Sequence, residues 1–142
     1  MIRLMKLDDI KQVLEIEQNL FGSGSVENLE NVLKNPLYYY WVIEESEVII
    51  GYFAVMVADD DAEIIEIAIR DTFQFKGYGK KLLQYGEEEI KKLGHTGMLL
   101  EVRESNTVAR KLYEKSGYKP IFVRKKYYSG TEDAIIMKKS FN

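Results

Sequence analysis

The chain has 142 residues, 46% of them hydrophobic and 30% charged, with a net charge of −3, one histidine and no cysteine. That composition suits an ordinary globular protein with enough chain to bury a core, expected as a single domain over residues 1–142. It excludes disulfides, thiolate metal sites, a cysteine nucleophile and a multi-histidine metal centre, and it gives general nucleic-acid binding no electrostatic support. The opening MIRLMKLDDI lacks the apolar core of a signal peptide, and no apolar run approaches the roughly 18 residues that span a bilayer. The expectation is a cytoplasmic protein with no membrane partner.

Ile2 to Met5 alternates like a short first strand. Asp8 is placed to cap a helix whose inward face carries Ile10, Val13, Leu14, Ile16 and Leu20. Gly22-Ser23-Gly24-Ser25 breaks that helix, and Ser25 can cap a second one running to about Lys34, ended by Asn35-Pro36. Tyr38–Glu44 and Val48–Val57 read as a hairpin around Glu45-Ser46-Glu47. The aromatic run Tyr38 to Trp41 is assigned mostly to strand packing, and Phe53 and Met56 to the core. Asp59-Asp60-Asp61 makes the next turn, and Ala62–Ile69 the next strand.

A long helix follows, with Leu82, Leu83, Gly86, Ile90 and Leu93 at helical spacing until Gly94. His95, at its C-terminal end, reads as structural. Gly97–Arg103 is a strand, and Ser105 or Asn106 caps a helix to about Ser116, with Gly117 at its C-cap. Tyr118–Val123 and Asp133–Lys138 are final strands around Ser129-Gly130. The element order is a mixed α/β sheet with helices on its faces.

Between the Ile-rich strand and the long helix lies Gln74-Phe75-Lys76-Gly77-Tyr78-Gly79, spaced Q-x-x-G-x-G. A strand that passes through a glycine turn into a helix leaves backbone N–H groups pointing outward, with the positive end of the helix dipole behind them. Such a turn suits a pyrophosphate, although a plain strand-to-helix connection has the same outline. Glu101 stands in the otherwise apolar strand Met98 to Val102, where alternation turns Leu99, Glu101 and Arg103 away from the face of Met98, Leu100 and Val102. A carboxylate there is costly to bury without a partner, so it is expected to face a polar cleft, and partial desolvation would suit a base. The alternative is an edge-facing carboxylate paired with Arg103 or a lysine.

The blocks IAIRDTFQFKGYGKKLL, LLEVRESNTVARKLYEKSGY and RKKYYSGTEDAIIM, between Ile67 and Met137, resemble the GNAT family of N-acetyltransferases. Within it they are most similar to the ribosomal-protein-alanine N-acetyltransferases and their archaeal relatives. The resemblance implies a twisted, mostly antiparallel sheet of about seven strands with a splayed central pair, flanked by about four helices. It implies acetyl-CoA as cofactor, its arm lying along the backbone of Ile67, Ala68 and Ile69, with an N–H there able to stabilise charge on the thioester oxygen. Phe75, Lys76, Gly77, Tyr78, Gly79 and Lys80 would wrap the pyrophosphate, the two glycines permitting close approach, and Lys81 would add charge. Asn106 would cap its helix and also bond the pantetheine arm. Glu101 matches the family's general base and Tyr113, twelve residues later, the acid that protonates the departing thiolate. Taken alone, Tyr113 reads as a half-buried packing residue of its helix.

The acceptor implied by the resemblance is a protein or peptide N-terminus, alanine or another small residue, with Tyr127 and Tyr128 on the substrate-facing hairpin. Two tyrosines packing on strand surfaces is the plainer reading of that pair. Two features depart from the alanine-specific enzymes. Their Pro-Trp pair after the first helix is replaced by Gly22-Ser23-Gly24-Ser25, and the turn after Tyr128 is shorter. Lysine and polyamine acceptors therefore stay open, with Glu27, Glu30 and the Asp59 turn able to attract cations, as does a non-catalytic coenzyme A-binding module. The oligomeric state is not readable from the chain.

Overall fold

The structure is a computed structural model that describes residues 1–58 and 60–141. Asp59, assigned above to a turn, lies outside them. Among the described residues the strands β1 (Ile2–Leu4), β2 (Tyr38–Glu45), β3 (Val48–Met56), β4 (Asp61–Ile69), β5 (Gly97–Arg103), β6 (Lys119–Tyr128) and β7 (Glu132–Ser140) form one seven-stranded sheet. Their order is β1-β2-β3-β4-β5-β7-β6, and every neighbouring pair is antiparallel except β4–β5. Four α-helices cover the faces: α1 (Ile10–Phe21), α2 (Val26–Lys34), α3 (Tyr78–Lys92) and α4 (Thr107–Lys115). No helix among the described residues is long and apolar enough to cross a membrane.

Period-2 alternation in the strands decides which helix meets which residue. Val42, Ile49, Tyr52 and Ala68 face α1 and α2, where Val13, Ile16 and Leu29 bury against them. Ile43, Phe53, Ile64, Leu100 and Val102 face the other way, onto Leu82, Leu83 and Ile90 of α3 and Tyr113 of α4. Gly86 lets α3 lie close, since a Cβ there would come within 2.3 Å of the Phe53 ring. Leu93, expected inward, is the C-cap of α3 and half exposed.

The helix ends follow local chemistry. Ser25 Oγ accepts from the Asn28 N–H at 3.1 Å and starts α2, and Asn106 Oδ1 accepts from the Ala109 N–H at 3.2 Å and starts α4. Asp8 does not cap α1. Its neighbour Asp9 does the organising: it accepts from Arg3 at 2.7 and 2.9 Å and from the Lys6 N–H at 2.8 Å, tying β1 to the start of α1. The β2–β3 turn puts Ser46 and Glu47 at φ 50° and 69°, the left-handed pair that matches strand twist. β6 runs on to Tyr128 where the sequence suggested Val123. It is an edge strand, so Arg124 to Lys126 extend it without burial.

Two irregularities in β4 set up the site. It pairs with β5 only from Asp61↔Gly97 to Ile64↔Leu100. Beyond that point β4 stays on β3 as far as Ile69, and β5 stays on β7 as far as Arg103. The inner edges of both strands are thus open between them. A bulge also intervenes, since Val55 pairs with Ile64 while its neighbour Ala54 pairs with Glu66, leaving Ile65 as the extra residue. Later side chains therefore change faces: Ala62 and Ile64 lie in the core under α3 and α4, as do Ile67 and Ile69, whereas Ala68 lies under α1 and α2.

The Arg3 guanidinium holds the Asp9 carboxyl below the usual aspartate range, against the opposing effect of burial. A carboxyl depressed on folding contributes stability that is full above its unfolded value of about 3.9 and is lost as pH falls through the lower folded one. Asp9→Ala should cost about 2–4 kcal/mol at neutral pH, because it leaves Arg3 and the Lys6 N–H unpaired. Urea unfolding at neutral and acidic pH checks both points, and the variant should show a flatter acid limb.

Candidate active site

The Q-x-x-G-x-G segment folds back on the end of β4. Gln74 Nε2 donates to the Ile69 carbonyl at 2.9 Å, which holds the turn against the strand. Phe75 and Gly77 take left-handed φ values of 61° and 89°, and α3 begins at Tyr78. No side chain caps α3 and its first turn carries no acid, so its leading N–H groups and the positive end of its dipole face outward. Before them opens a largely apolar groove of about 450 Å³ between the end of β4, this turn, the face of α4 and the C-terminal end of α1 at Leu20 and Phe21.

Of the residues expected at the cofactor, Ile67, Ala68, Ile69, Phe75, Gly77, Tyr78, Gly79, Lys80 and Asn106 line this groove. Lys76 does not; its ammonium lies 5.8 Å over the Phe73 ring. The two glycines, given one reason in the sequence, have different ones. A Cβ at Gly77 would meet nothing, so that position is constrained by its positive φ. A Cβ at Gly79 would sit 3.6 Å from Leu112 and 3.9 Å from Ile69, harmless to the fold but projecting into the groove.

Glu101 lies one residue past the last β4–β5 pair, on the α1/α2 face, because Leu100 and Val102 are buried on the other. The Tyr128 hydroxyl donates to its Oε2 at 3.2 Å, and Arg124 Nε lies 3.7 Å from its Oε1. Its side chain is 29% exposed, partly covered but not buried. Its cation partner is Arg124, neither Arg103 nor a lysine. Arg103 instead bonds Glu132 at 3.2 Å and stacks 4.0 Å over the Tyr128 ring. Tyr127 packs edge-on against Tyr128 and under Arg124. Burial, then the Glu101 charge, push the Tyr128 phenol up.

Tyr113 is on the opposite face. It is buried in the core at 5% exposure, edge-on to Tyr118 with centroids 5.6 Å apart, and burial pushes its phenol up. Its hydroxyl has no hydrogen-bond partner among the described residues. The sheet thus separates the two expected catalytic groups, Glu101 on the α1/α2 face and Tyr113 under α3 and α4.

Sequence reasoning missed Arg124, and it also missed a polar group on β4. Glu66 accepts from the buried Tyr52 hydroxyl, beside Glu17 of α1 and Tyr40 of β2. Its signal was available, a carboxylate inside IIEIAI, but the bulge that turns it away from the apolar core is not visible in the sequence.

An open strand edge, an uncapped helix N-terminus and a carboxylate across the split suit an extended, phosphate-bearing cofactor and a proton transfer beside it. A model of the acetyltransferase (GNAT) family matches residues 8–118, and the chain belongs to that family. A Bacillus subtilis relative, named provisionally as a ribosomal protein bS18-alanine N-acetyltransferase, is 37% identical over 96% of this chain and 92% of its own. The ribosomal protein bS18-alanine N-acetyltransferase of Haemophilus ducreyi is 32% identical over 96% of this chain and 97% of its own. The crystal structure of the ribosomal-protein-S18-alanine N-acetyltransferase from Escherichia coli superposes with a TM-score of 0.89 at 28% identity, covering 100% of this chain and 94% of that one. The protein is an acetyl-CoA-dependent N-acetyltransferase.

The groove suits acetyl-CoA. It offers N–H donors and Lys80 for phosphates, apolar walls for the pantetheine arm, and an unpaired β4 edge for its amides. The two glycines should then respond differently to alanine. Gly77→Ala should cost about 1–2 kcal/mol of stability through its left-handed φ. Gly79→Ala should leave the melting temperature in place and raise the KM for acetyl-CoA by about tenfold. Thermal melts and steady-state kinetics on both variants separate the two effects.

Proposed function

We propose that this enzyme acetylates the free α-amine of a protein N-terminus, with alanine or another small residue in first position. The observation that carries the reading is Glu101 held by Tyr128 on the α1/α2 side of the split, opposite the face that carries Tyr113. The names of the relatives support the acceptor. Acetyl-CoA supplies the activated acetyl thioester. Ile67, Ala68 and Ile69 orient it along the open edge of β4, and the first turn of α3 with Lys80 binds its phosphates.

Glu101 takes a proton from the incoming ammonium, directly or through a water, and leaves the nitrogen able to attack. Arg124 already sits on that carboxylate, so the acceptor must compete with a guanidinium for it. Tyr113, kept protonated by burial, is the acid on the leaving-group side. Attack on the thioester carbon gives a tetrahedral intermediate; its nitrogen loses its second proton and the thiolate takes one from Tyr113 as the C–S bond breaks. Rate comes largely from holding both reactants in attack geometry. Tyr127 and Tyr128 form an aromatic wall for the first residue, while Gly22 to Ser25 supply none, which favours a broader choice of small N-terminal residues.

A second reading, a lysine or polyamine acceptor, has one observation in its favour. An acidic hollow formed by Asp60, Asp61 and Glu63 lies beside Met56 and Leu99. Lys138 already neutralises part of it, at 3.0 Å from Asp61.

Three peptides decide between the readings: one with a free N-terminal alanine, one blocked and lacking lysine, and one blocked with an internal lysine, with spermidine run in parallel. Turnover should be confined to the free-alanine peptide. Glu101→Gln should lower kcat/KM by roughly 10²–10³-fold. Tyr113→Phe should lower kcat by about 10–100-fold without lowering the melting temperature, since its hydroxyl bonds nothing in the protein. Acetylation of lysine or spermidine alone would reject the N-terminal acceptor.

A further inference from the structure

The mechanism above leaves Glu66 unused, although its position is unusual. It lies two residues past the last β4–β5 pair, and Glu101 lies one residue past it, so the two carboxylates flank the mouth of the split. Were β4 regular, Glu66 would share the face of Ala62 and Ile64 and point into the apolar core under α3 and α4. The bulge at Ile65 turns it instead to the α1/α2 face, the face of Glu101.

On that face Glu66 is braced. Tyr52, buried on β3, donates its hydroxyl to Glu66 Oε1, and Tyr40 of β2 stacks on Tyr52 with centroids 6.0 Å apart. Glu17 of α1 closes the group, and its Oε1 is buried with no hydrogen-bond partner among the described residues. The Gly22–Ser25 loop lies against it, for any Cβ at Gly24 would overlap the Glu17 carboxyl. Burial pushes both carboxyls up, and the charge of Glu66 adds to the effect on Glu17.

Among the described residues no lysine, arginine or histidine pairs with either carboxyl. Two neighbouring carboxyls, partly stripped of water and lacking a cation, are costly to hold. A bound cation would relieve that cost, and the cation this reaction brings to this face is the acceptor's ammonium. We propose that Glu66, braced by Tyr52 and Tyr40 and backed by Glu17, is the binding seat for the ammonium group of the acceptor before Glu101 takes its proton. The inference rests on the reading that the acceptor is an amine entering on the α1/α2 face. It adds a second carboxyl site to that face, with a task distinct from that of the base. Arg124 shields Glu101, so the cation is first received where no guanidinium competes.

Glu66→Gln keeps an acceptor for the Tyr52 hydroxyl and removes the charge, so the variant should fold. It should raise the KM for the free-alanine peptide at least tenfold and leave the KM for acetyl-CoA within twofold of wild type. Glu17→Gln should raise the peptide KM severalfold, also without moving that of acetyl-CoA. A purely structural role would shift the melting temperature and both KM values together, or neither KM. Either result overturns the seat. Should wild type ignore the alanine peptide but acetylate the lysine peptide or spermidine, the acceptor assignment fails, and the same KM comparison on that amine decides the seat. Should wild type acetylate none of these amines while binding acetyl-CoA, both proposals fall.

Discussion

The parting of β4 from β5 is the constraint on which the rest of the site depends. Inside a sheet, a strand edge without a partner is normally a defect, because its N–H and C=O groups lose water and gain nothing. Here each strand stays anchored on its outer side, β4 to β3 and β5 to β7, so the split costs only the inner ladder. What it creates is a slot with backbone donors and acceptors on a rigid wall. An extended, amide-bearing arm can complete that wall as another strand would. The uncapped start of α3 stands beyond the end of the same strand, so one chain segment offers both an open edge and outward-facing N–H groups to the same groove.

Either side of the split, side chains are sorted between the two faces. Alternation on β5 sends Leu100 and Val102 under α3 and α4 and leaves Glu101 facing the α1/α2 side. On β4 a single extra residue does the corresponding work. It keeps Ile67 and Ile69 in the core under α3 and α4 and turns Glu66 to the α1/α2 face. Helix α4, which carries Tyr113, packs under the sheet, and the β6–β7 hairpin brings Tyr128 and Arg124 over Glu101. Glu101 and Tyr113, the proposed base and acid, thus lie on different faces of the sheet.

Much of this was legible in the residues. The turn Gln74 to Gly79, the strand Gly97–Arg103 and the Asn106 cap follow from local chemistry, namely backbone conformations open to glycine, apolar alternation and a side chain that replaces a missing helical bond. Such signals act within a few residues, which is why the sequence alone determined the helices, most strand bounds, the glycine turn before α3 and the family. It could not reveal what depends on partners distant in the chain. The exposure of Glu101 and its pairing with Arg124 depend on where β6 lies. The organising role of Asp9 depends on Arg3 of the neighbouring strand, and the different duties of Gly77 and Gly79 on Leu112 of α4. The face taken by Glu66 depends on register, which only the pairing of β3 with β4 decides, since a one-residue bulge leaves no mark in composition or periodicity and yet reverses every side chain beyond it.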